Sequence, residues 1–154
     1  MKKAAGIFLI RKDYKLLIAH PTNIPMTKWS IPKGRMEEGE HPTETAVREM
    51  FEESNVDVSN WKIMHNLPHI EYKNKDKILI PFVLFERQNN IDFDSFEFKC
   101  NSNVPDDLGG FPEMDDYKWV TIDEARELLF KSQVKCLDEI QKIIDKLERV
   151  KRGG

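Results

Sequence analysis

The sequence predicts a single α/β domain in which β-strands pack against helices. Three observations carry this prediction: strand-like apolar runs near residues 4–10 and 78–86, a helix-forming segment after Pro42, and an amphipathic helical pattern over residues 133–150. A chain of 154 residues with 40% hydrophobic residues suits one compact domain. We therefore expect residues 1–154 to form one domain that includes the C-terminal helix of about 133–150.

The N-terminal quarter combines two strands with irregular segments. Residues 4–10 and 16–19 are apolar enough for buried strands, and the polar residues 11–15 between them predict a hairpin turn. Residues 20–28 contain two prolines and predict a loop. Residues 29–40 are interrupted by proline and glycine, so we expect no regular element there.

A helix is predicted from Pro42 to about Ser54. Proline suits a first helical turn, and the interior is rich in the helix formers Glu, Ala, Met and Arg. Asn55, just past the end, is a plausible left-handed cap. Helical spacing places four apolar residues on the side that we expect to face the core: Ala46, Val47, Met50 and Phe51.

The remaining elements follow from apolar runs and helical periodicity. A charged tip at residues 73–77 predicts a hairpin loop, and residues 88–112, which show little periodicity, are expected to shape the substrate pocket. The predicted elements are strands within residues 61–70 (broken by Pro68), 78–86 and 117–120, and helices over 123–130 and 133–150.

The composition excludes several classes of protein. No apolar run approaches the roughly 20 residues of a membrane span, and the basic start is followed too soon by Arg11-Lys12-Asp13 to be a signal peptide. The two cysteines, Cys100 and Cys136, cannot form a disulfide framework. We expect a cytoplasmic protein without a membrane partner.

The net charge of −3 conceals two opposed segments. Residues 1–33 carry seven Lys and Arg and one acid, a net +6, whereas residues 34–57 carry eight acids and two Arg, a net −6. Charge asymmetry of this kind is worth following in the motifs of the two segments.

Three carboxylates of the predicted helix share one face. Glu49, Glu52 and Glu53 are spaced i, i+3 and i+4, so their charges repel and destabilise the helix. Arg48 could offset part of this repulsion, and a divalent cation would offset more, since Mg²⁺ binds carboxylate oxygens. The alternative is a solvated acidic face, which is the commoner reading of an arbitrary helix.

The spacing of these acids within residues 34–56, GRMEEGEHPTETAVREMFEESNV, favours the cation. This segment resembles the signature of the Nudix hydrolases, G-x5-E-x7-R-E-U-x-E-E-x-G-U, in which U is aliphatic. Asn55 stands where the family usually has Gly. Asn can also adopt the left-handed backbone conformation of such a turn. The matching positions are Gly34, Glu40, Arg48, Glu49, Met50, Glu52, Glu53 and Val56.

The resemblance implies a Nudix-type α/β/α sandwich with a mixed β-sheet and a cofactor, Mg²⁺ or Mn²⁺, that bridges to a diphosphate. It implies catalytic roles for Glu52 and Glu53, while Glu40 and Arg48 hold the loop and orient carboxylates, and Arg48 counts also among the candidate substrate contacts. The implied metal ligands are the Gly34 carbonyl, Glu49, Glu52 and Glu53.

Two flanking segments extend the resemblance. Residues 29–34 are similar to the W-x-x-P-K-G lead-in of Nudix enzymes that hydrolyse diadenosine polyphosphates or diphosphoinositol phosphates, which implies that Lys33 meets a phosphate; a surface lysine is the alternative. Residues 112–120 resemble the segment before the last strand of many members, which implies that Glu113 is a further metal ligand or general base. A plain loop carboxylate is an equally open reading of Glu113. Trp29 is expected in the core.

An exposed aromatic side chain near the site could stack on a base. Tyr72, Phe111 and Tyr117 are the candidates, of which Tyr72 is predicted to bind substrate, although aromatic residues are usually core.

The predicted function is hydrolysis of a phosphoanhydride bond in a nucleoside diphosphate linked to another group. The lead-in favours a dinucleoside polyphosphate such as diadenosine tetraphosphate. The alternatives are a MutT-type nucleoside triphosphate pyrophosphohydrolase, an enzyme acting on RNA 5′ ends, and a non-catalytic nucleotide sensor. A monomer and a homodimer both remain open.

Overall fold

The computed structural model describes residues 1–61, 64–72, 74–87 and 91–153. Parts of the predicted strand 61–70, the tip 73–77 and the segment 88–112 lie outside the described residues. Within them a single sheet has the strands β1 (Lys2–Ile10), β2 (Leu16–Pro21), β3 (Lys33–Arg35), β4 (Met64–Asn66), β5 (Ile70–Tyr72), β6 (Lys77–Phe85) and β7 (Met114–Val120). The helices are α1 (Pro42–Ser54), α2 (Ile122–Leu128) and α3 (Lys131–Gly153), with a 3₁₀ turn at Asp106–Leu108.

The sheet is mixed, as predicted. β1 runs parallel to β6 along its whole length and antiparallel to β2 and β3, in the order β4-β6-β1-β2-β7. The central strands β1 and β6 are largely buried, which is why they read as nearly continuous apolar runs.

Helices cover both faces of the sheet and complete the predicted sandwich. Alternate residues of β1 point to opposite sides. Ile7 and Leu9 pack with Ala46 and Met50 of α1. Phe8 and Ile10 belong to the opposite cluster, which contains residues of α2 and α3. One face of the sheet therefore carries α1 and the other carries α2 and α3.

The catalytic-candidate helix α1 has the predicted bounds, and Asn55 adopts the predicted left-handed conformation, with φ 72°. The prediction that Phe51 faces the core is wrong, because this side chain is 45% exposed. The sheet covers the side of α1 that carries Met50, and Phe51 lies about 100° farther around the helix.

The prediction that residues 29–40 contain no regular element is also wrong. β3 pairs with β1, Gly6 opposite Lys33 and Ala5 opposite Gly34. The strands approach so closely that a Cβ on Gly6 would lie 2.6 Å from the Lys33 Cβ. Backbone pairing with a distant strand creates β3, so its own Lys-Gly-Arg sequence carries no strand pattern.

The segment after β6 folds back over the end of α1. Phe93 is buried against Trp119 of β7, and the Asn101 N–H donates to the Glu52 carbonyl at 2.6 Å. The Asn101 side-chain amide also donates to the Phe51 carbonyl, 50 residues earlier in the chain. The bond to Glu52 satisfies a carbonyl that the end of a helix leaves unpaired, whereas the Phe51 carbonyl also accepts the Asn55 N–H.

Two further predictions concern a core tryptophan and membrane-spanning helices. Trp29 is 2% exposed, as expected of a core residue. None of the helices in the described ranges combines the length and hydropathy that crossing a membrane requires.

Candidate active site

A cavity of about 560 Å³ lies between β3, α1 and the residue that precedes β7. Its lining brings together seven of the residues singled out in the sequence: Lys33, Gly34, Arg48, Glu49, Glu52, Glu53 and Glu113. They come from three segments that are far apart in the chain.

Gly34 is required by the position of Glu49. β3 crosses α1 so closely that a Cβ on Gly34 would lie 2.1 Å from the carboxyl carbon of Glu49 and 2.3 Å from each of its oxygens. The absence of a side chain at Gly34 therefore creates the space that the Glu49 carboxylate occupies.

Glu53 is the most deeply buried acid of the cavity, with 2% exposure. Its carboxylate accepts a hydrogen bond from the Lys33 backbone N–H at 3.1 Å. Burial, together with the nearby Glu49 and Glu113, raises the pKa of Glu53 to about 8, although Lys33 opposes the shift. The described residues around Glu53 thus compensate a negative charge on its carboxylate only in part.

Glu49 has an environment similar to that of Glu53 but is less deeply buried. Burial and the charge of Glu52 raise its pKa, against the opposing effect of Arg48. Among the described residues no three acidic, histidine or cysteine side chains converge into a preformed metal centre. The cavity nevertheless offers carboxylate oxygens, the donors that Mg²⁺ and Mn²⁺ prefer. Four residues could hold such a cation: Glu49, Glu52, Glu53 and Glu113.

Arg48 holds the acids of α1 and the preceding loop together. Its guanidinium donates to Glu49 at 2.9 Å, to Glu52 at 3.1 Å and to both oxygens of Glu40 at 2.8 and 2.9 Å, and its fifth bond goes to the Arg35 carbonyl. All five N–H donors are thereby used. Any substrate contact by Arg48 would have to replace one of these bonds.

The Arg48–Glu40 pair gives a pH-dependent contribution to stability. The bond to Arg48 lowers the pKa of Glu40 to about 2, from an ordinary value of 4.5. This contribution is therefore complete above pH 4.5 and is lost as the pH falls towards 2. We expect Glu40→Gln to lower the free energy of unfolding by about 2 kcal/mol at pH 7 and by less at pH 3, measured by urea denaturation.

The matched control for this prediction is Glu38→Gln, which removes an exposed charge from the same loop. It should change stability little at either pH. A loss in Glu40→Gln that is the same at pH 7 and pH 3 would contradict the role given to the ion pair.

A second, basic cleft of about 390 Å³ adjoins the cavity at Lys33, which lines both. Tyr72 lines this cleft and not the carboxylate cavity. Its side chain is half-buried, and the Lys77 ammonium lies 5.5 Å from the centre of its ring. Burial and the neighbouring Lys33 lower the pKa of Lys77. The other lysines that line the cleft are Lys75 and Lys131.

Several contacts that shape the site were not predicted, and Tyr117 was considered only as a candidate for stacking on a base. The Tyr117 hydroxyl donates to the Glu53 carbonyl, and the Ser102 carbonyl accepts the Glu113 N–H at 2.9 Å. Lys77 and Lys131 are far from Lys33 in the sequence, and only the fold brings them to the same cleft. Each of these contacts spans many residues, so no local spacing in the sequence could have indicated them.

Comparison with known proteins identifies the family of this chain. A family model described as NUDIX domain matches residues 1–140. The chain is 48% identical to an RNA pyrophosphohydrolase of Gluconobacter oxydans over 48 residues, 31% of this chain and 28% of that protein. It is 26% identical to an RNA pyrophosphohydrolase of Bartonella clarridgeiae over 86% of this chain and 84% of that protein. The matches to the relatives from Gluconobacter oxydans and Cereibacter sphaeroides span 28% and 41% of their lengths.

Solved structures show the same fold. A binary complex of an Ap4A hydrolase from C. elegans superposes with a TM-score of 0.66 at 20% identity, over 95% of this chain and 99% of that one. A MutT protein from Methanosarcina mazei Go1 superposes with a TM-score of 0.64 at 16% identity, over 92% and 93% of the two chains. The family model covers most of the chain and includes the whole carboxylate site, and the chain therefore belongs to the Nudix hydrolase family.

Proposed function

We propose that this chain hydrolyses a phosphoanhydride bond in a nucleoside diphosphate linked to another group. One observation carries the proposal: the carboxylate cavity and the basic cleft share Lys33 and meet there. The carboxylates suit a divalent cation, and the lysines suit phosphate oxygens. A chain of phosphates is the substrate that uses both charges at once.

In this proposal Glu49, Glu52, Glu53 and Glu113 hold Mg²⁺ or Mn²⁺, with the Gly34 carbonyl as a further oxygen donor. When bound, the cation neutralises phosphate oxygens and makes a water molecule a better nucleophile. The carboxylates that hold it include the catalytic candidates Glu52, Glu53 and Glu113. Arg48 orients Glu49 and Glu52, and the Lys33 N–H holds Glu53 in place.

Within this reaction class we propose a dinucleoside polyphosphate, such as diadenosine tetraphosphate, as the substrate. The W-x-x-P-K-G lead-in, the extent of the basic cleft and the half-buried Tyr72 that lines it support a long phosphate chain that ends in a base. The relatives that are RNA pyrophosphohydrolases favour a second candidate, the triphosphate 5′ end of RNA, which the same lysines would accept.

A substrate panel tests both levels of the proposal. The purified chain is incubated with diadenosine tetraphosphate, nucleoside triphosphates, nucleotide sugars and 5′-triphosphate RNA, with Mg²⁺ and with excess chelator. We expect hydrolysis only with the metal and the highest kcat/KM for the dinucleotide. Hydrolysis unaffected by chelator would reject the metal-dependent reaction, and preference for RNA would select the second candidate. Binding of nucleotides without turnover would instead indicate a sensor.

Lys77 provides a test of the basic cleft. We expect Lys77→Ala to raise KM for diadenosine tetraphosphate about tenfold, the loss of one charge-assisted hydrogen bond to phosphate. The kcat should change less, because Lys77 lines the cleft and not the carboxylate cavity. Lys146→Ala, which removes an exposed lysine of α3, is the matched control. An equal KM in the two variants would contradict the assignment of the cleft to phosphate.

A further inference from the structure

His20 is a buried histidine with both ring nitrogens engaged. It is 2% exposed and lies edge-on to Trp29, with ring centroids 5.3 Å apart. Nδ1 lies 2.5 Å from a carboxylate oxygen of Asp115, and Nε2 lies 2.9 Å from the Ile24 carbonyl. Carbonyl and carboxylate oxygens are acceptors, so this environment suits a ring that donates from both nitrogens.

Asp115 occupies an irregular position in the sheet. β2 and β7 pair His20 with Asp116 and Pro21 with Met114, so Asp115 is an extra residue of β7 without a partner on β2. This arrangement is a β-bulge, which changes the direction of the neighbouring side chains. His20 thus binds the residue at which β7 changes its register.

The bulge lies two residues beyond Glu113, whose backbone is held on both sides. The Glu113 carbonyl accepts a hydrogen bond from the Thr22 N–H at 3.0 Å, and the Glu113 N–H donates to the Ser102 carbonyl. The Thr22 hydroxyl also donates to the Pro112 carbonyl at 2.6 Å. His20 and Thr22, which lie in one segment of the chain, therefore bind Asp115 and Pro112 at the two ends of residues 112–115.

We infer that His20 and Asp115 position the Glu113 carboxylate in the cavity and that Glu113 depends on this pair for its part in the hydrolysis. The inference rests on the proposed function, because it gives Glu113 a role in that reaction. His20 and Asp115 are positioning residues: they line neither the cavity nor the basic cleft. Their effect reaches the site only through the backbone of residues 112–115.

A double-mutant cycle tests the inference. Asp115→Ala is expected to lower kcat about tenfold, with KM within about twofold, because a small displacement of a catalytic group weakens the chemical step more than binding. In the Glu113→Gln background the same change should cost nothing further, since its target is already gone. Asp115→Asn keeps an acceptor for His20 and should retain most of the kcat.

Asp116→Ala is the matched control, because Asp116 is the next, exposed acid of β7 and its carboxylate bonds only to the adjacent Tyr117 N–H among the hydrogen bonds of the described residues. Amide NMR spectra supply a readout that does not need activity. We expect the Glu113 and Thr22 amide signals to move in Asp115→Ala and to stay in place in Asp116→Ala.

Three kinetic results would overturn the inference: equal losses of kcat from Asp115→Ala in both backgrounds, an Asp115→Ala variant with unchanged kcat, or full activity in Glu113→Gln. A wild-type chain that hydrolyses nothing would reject the proposed function instead. The amide signals would then still decide whether His20 and Asp115 hold Glu113, and unmoved signals would overturn the inference.

Discussion

Replacing Glu53 by glutamine is expected to lower kcat by at least about a hundredfold in the presence of Mg²⁺. Glutamine has the same shape, and its amide oxygen can still accept the Lys33 N–H. The variant therefore keeps the local packing and loses only the charge. Steady-state hydrolysis of the best substrate in the panel measures the effect.

The same variant should be more stable than the wild type when metal is removed. The pKa of Glu53 is about 8 in the folded chain and ordinarily 4.5, so the ionised carboxylate destabilises the fold by an amount that grows from pH 4.5 to about 8. We expect Glu53→Gln to have the higher Tm in chelator at pH 8 and the same Tm as the wild type below pH 4.5. Added Mg²⁺ should raise the Tm of the wild type and not that of the variant.

Glu38→Gln is the control for both measurements, because it removes an exposed charge from the same acidic segment. It should leave kcat and the Mg²⁺ response unchanged. Loss of activity in Glu53→Gln together with a lower Tm in chelator would show that the side chain supports the fold, and not a bound cation.

Replacing Gly34 by alanine should separate activity from folding. The new Cβ would collide with the end of the flexible Glu49 side chain, 2.1 Å from its carboxyl carbon, and that side chain can turn aside at little cost to the fold. We expect kcat to fall about a hundredfold, the effect of displacing a catalytic group by roughly 1 Å. The free energy of unfolding should change by less than about 1 kcal/mol.

Gly153→Ala, near the end of α3, is the matched control because a Cβ there would meet no atom within 4 Å. Assays of kcat and urea denaturation of both variants complete the comparison. Wild-type kcat in Gly34→Ala would show that the Glu49 carboxylate has no fixed place in the reaction.

The parts of the fold that could be predicted are those with a local pattern. β1 and β6 are apolar along their length, and α1 combines a proline start with an Asn55 cap. The local sequence of each element therefore predicts its conformation. The acids of α1 were predictable for the same reason, since their spacing within one helix is visible in the sequence.

The parts that could not be predicted depend on distant contacts. β3 is a strand only because Gly6 of β1 lets its backbone approach. The pairing of His20 with Asp115 spans 95 residues, and the basic cleft joins Lys33 to lysines of two later segments. The exposure of Phe51 depends on how far around α1 the sheet extends. Helical periodicity alone does not show where that cover ends.

The hydrogen bonds between residues 97–101 and the end of α1 also bear on the order in which the chain assembles. Asn55 closes the last turn of α1 locally, but the Glu52 carbonyl is paired by the Asn101 N–H only after a long loop has closed. During synthesis, Glu52 and Glu53 leave the ribosome well before Asn101. A nascent chain that ends before residue 97 would thus carry the acids of α1 without the distant contact that pairs the Glu52 carbonyl.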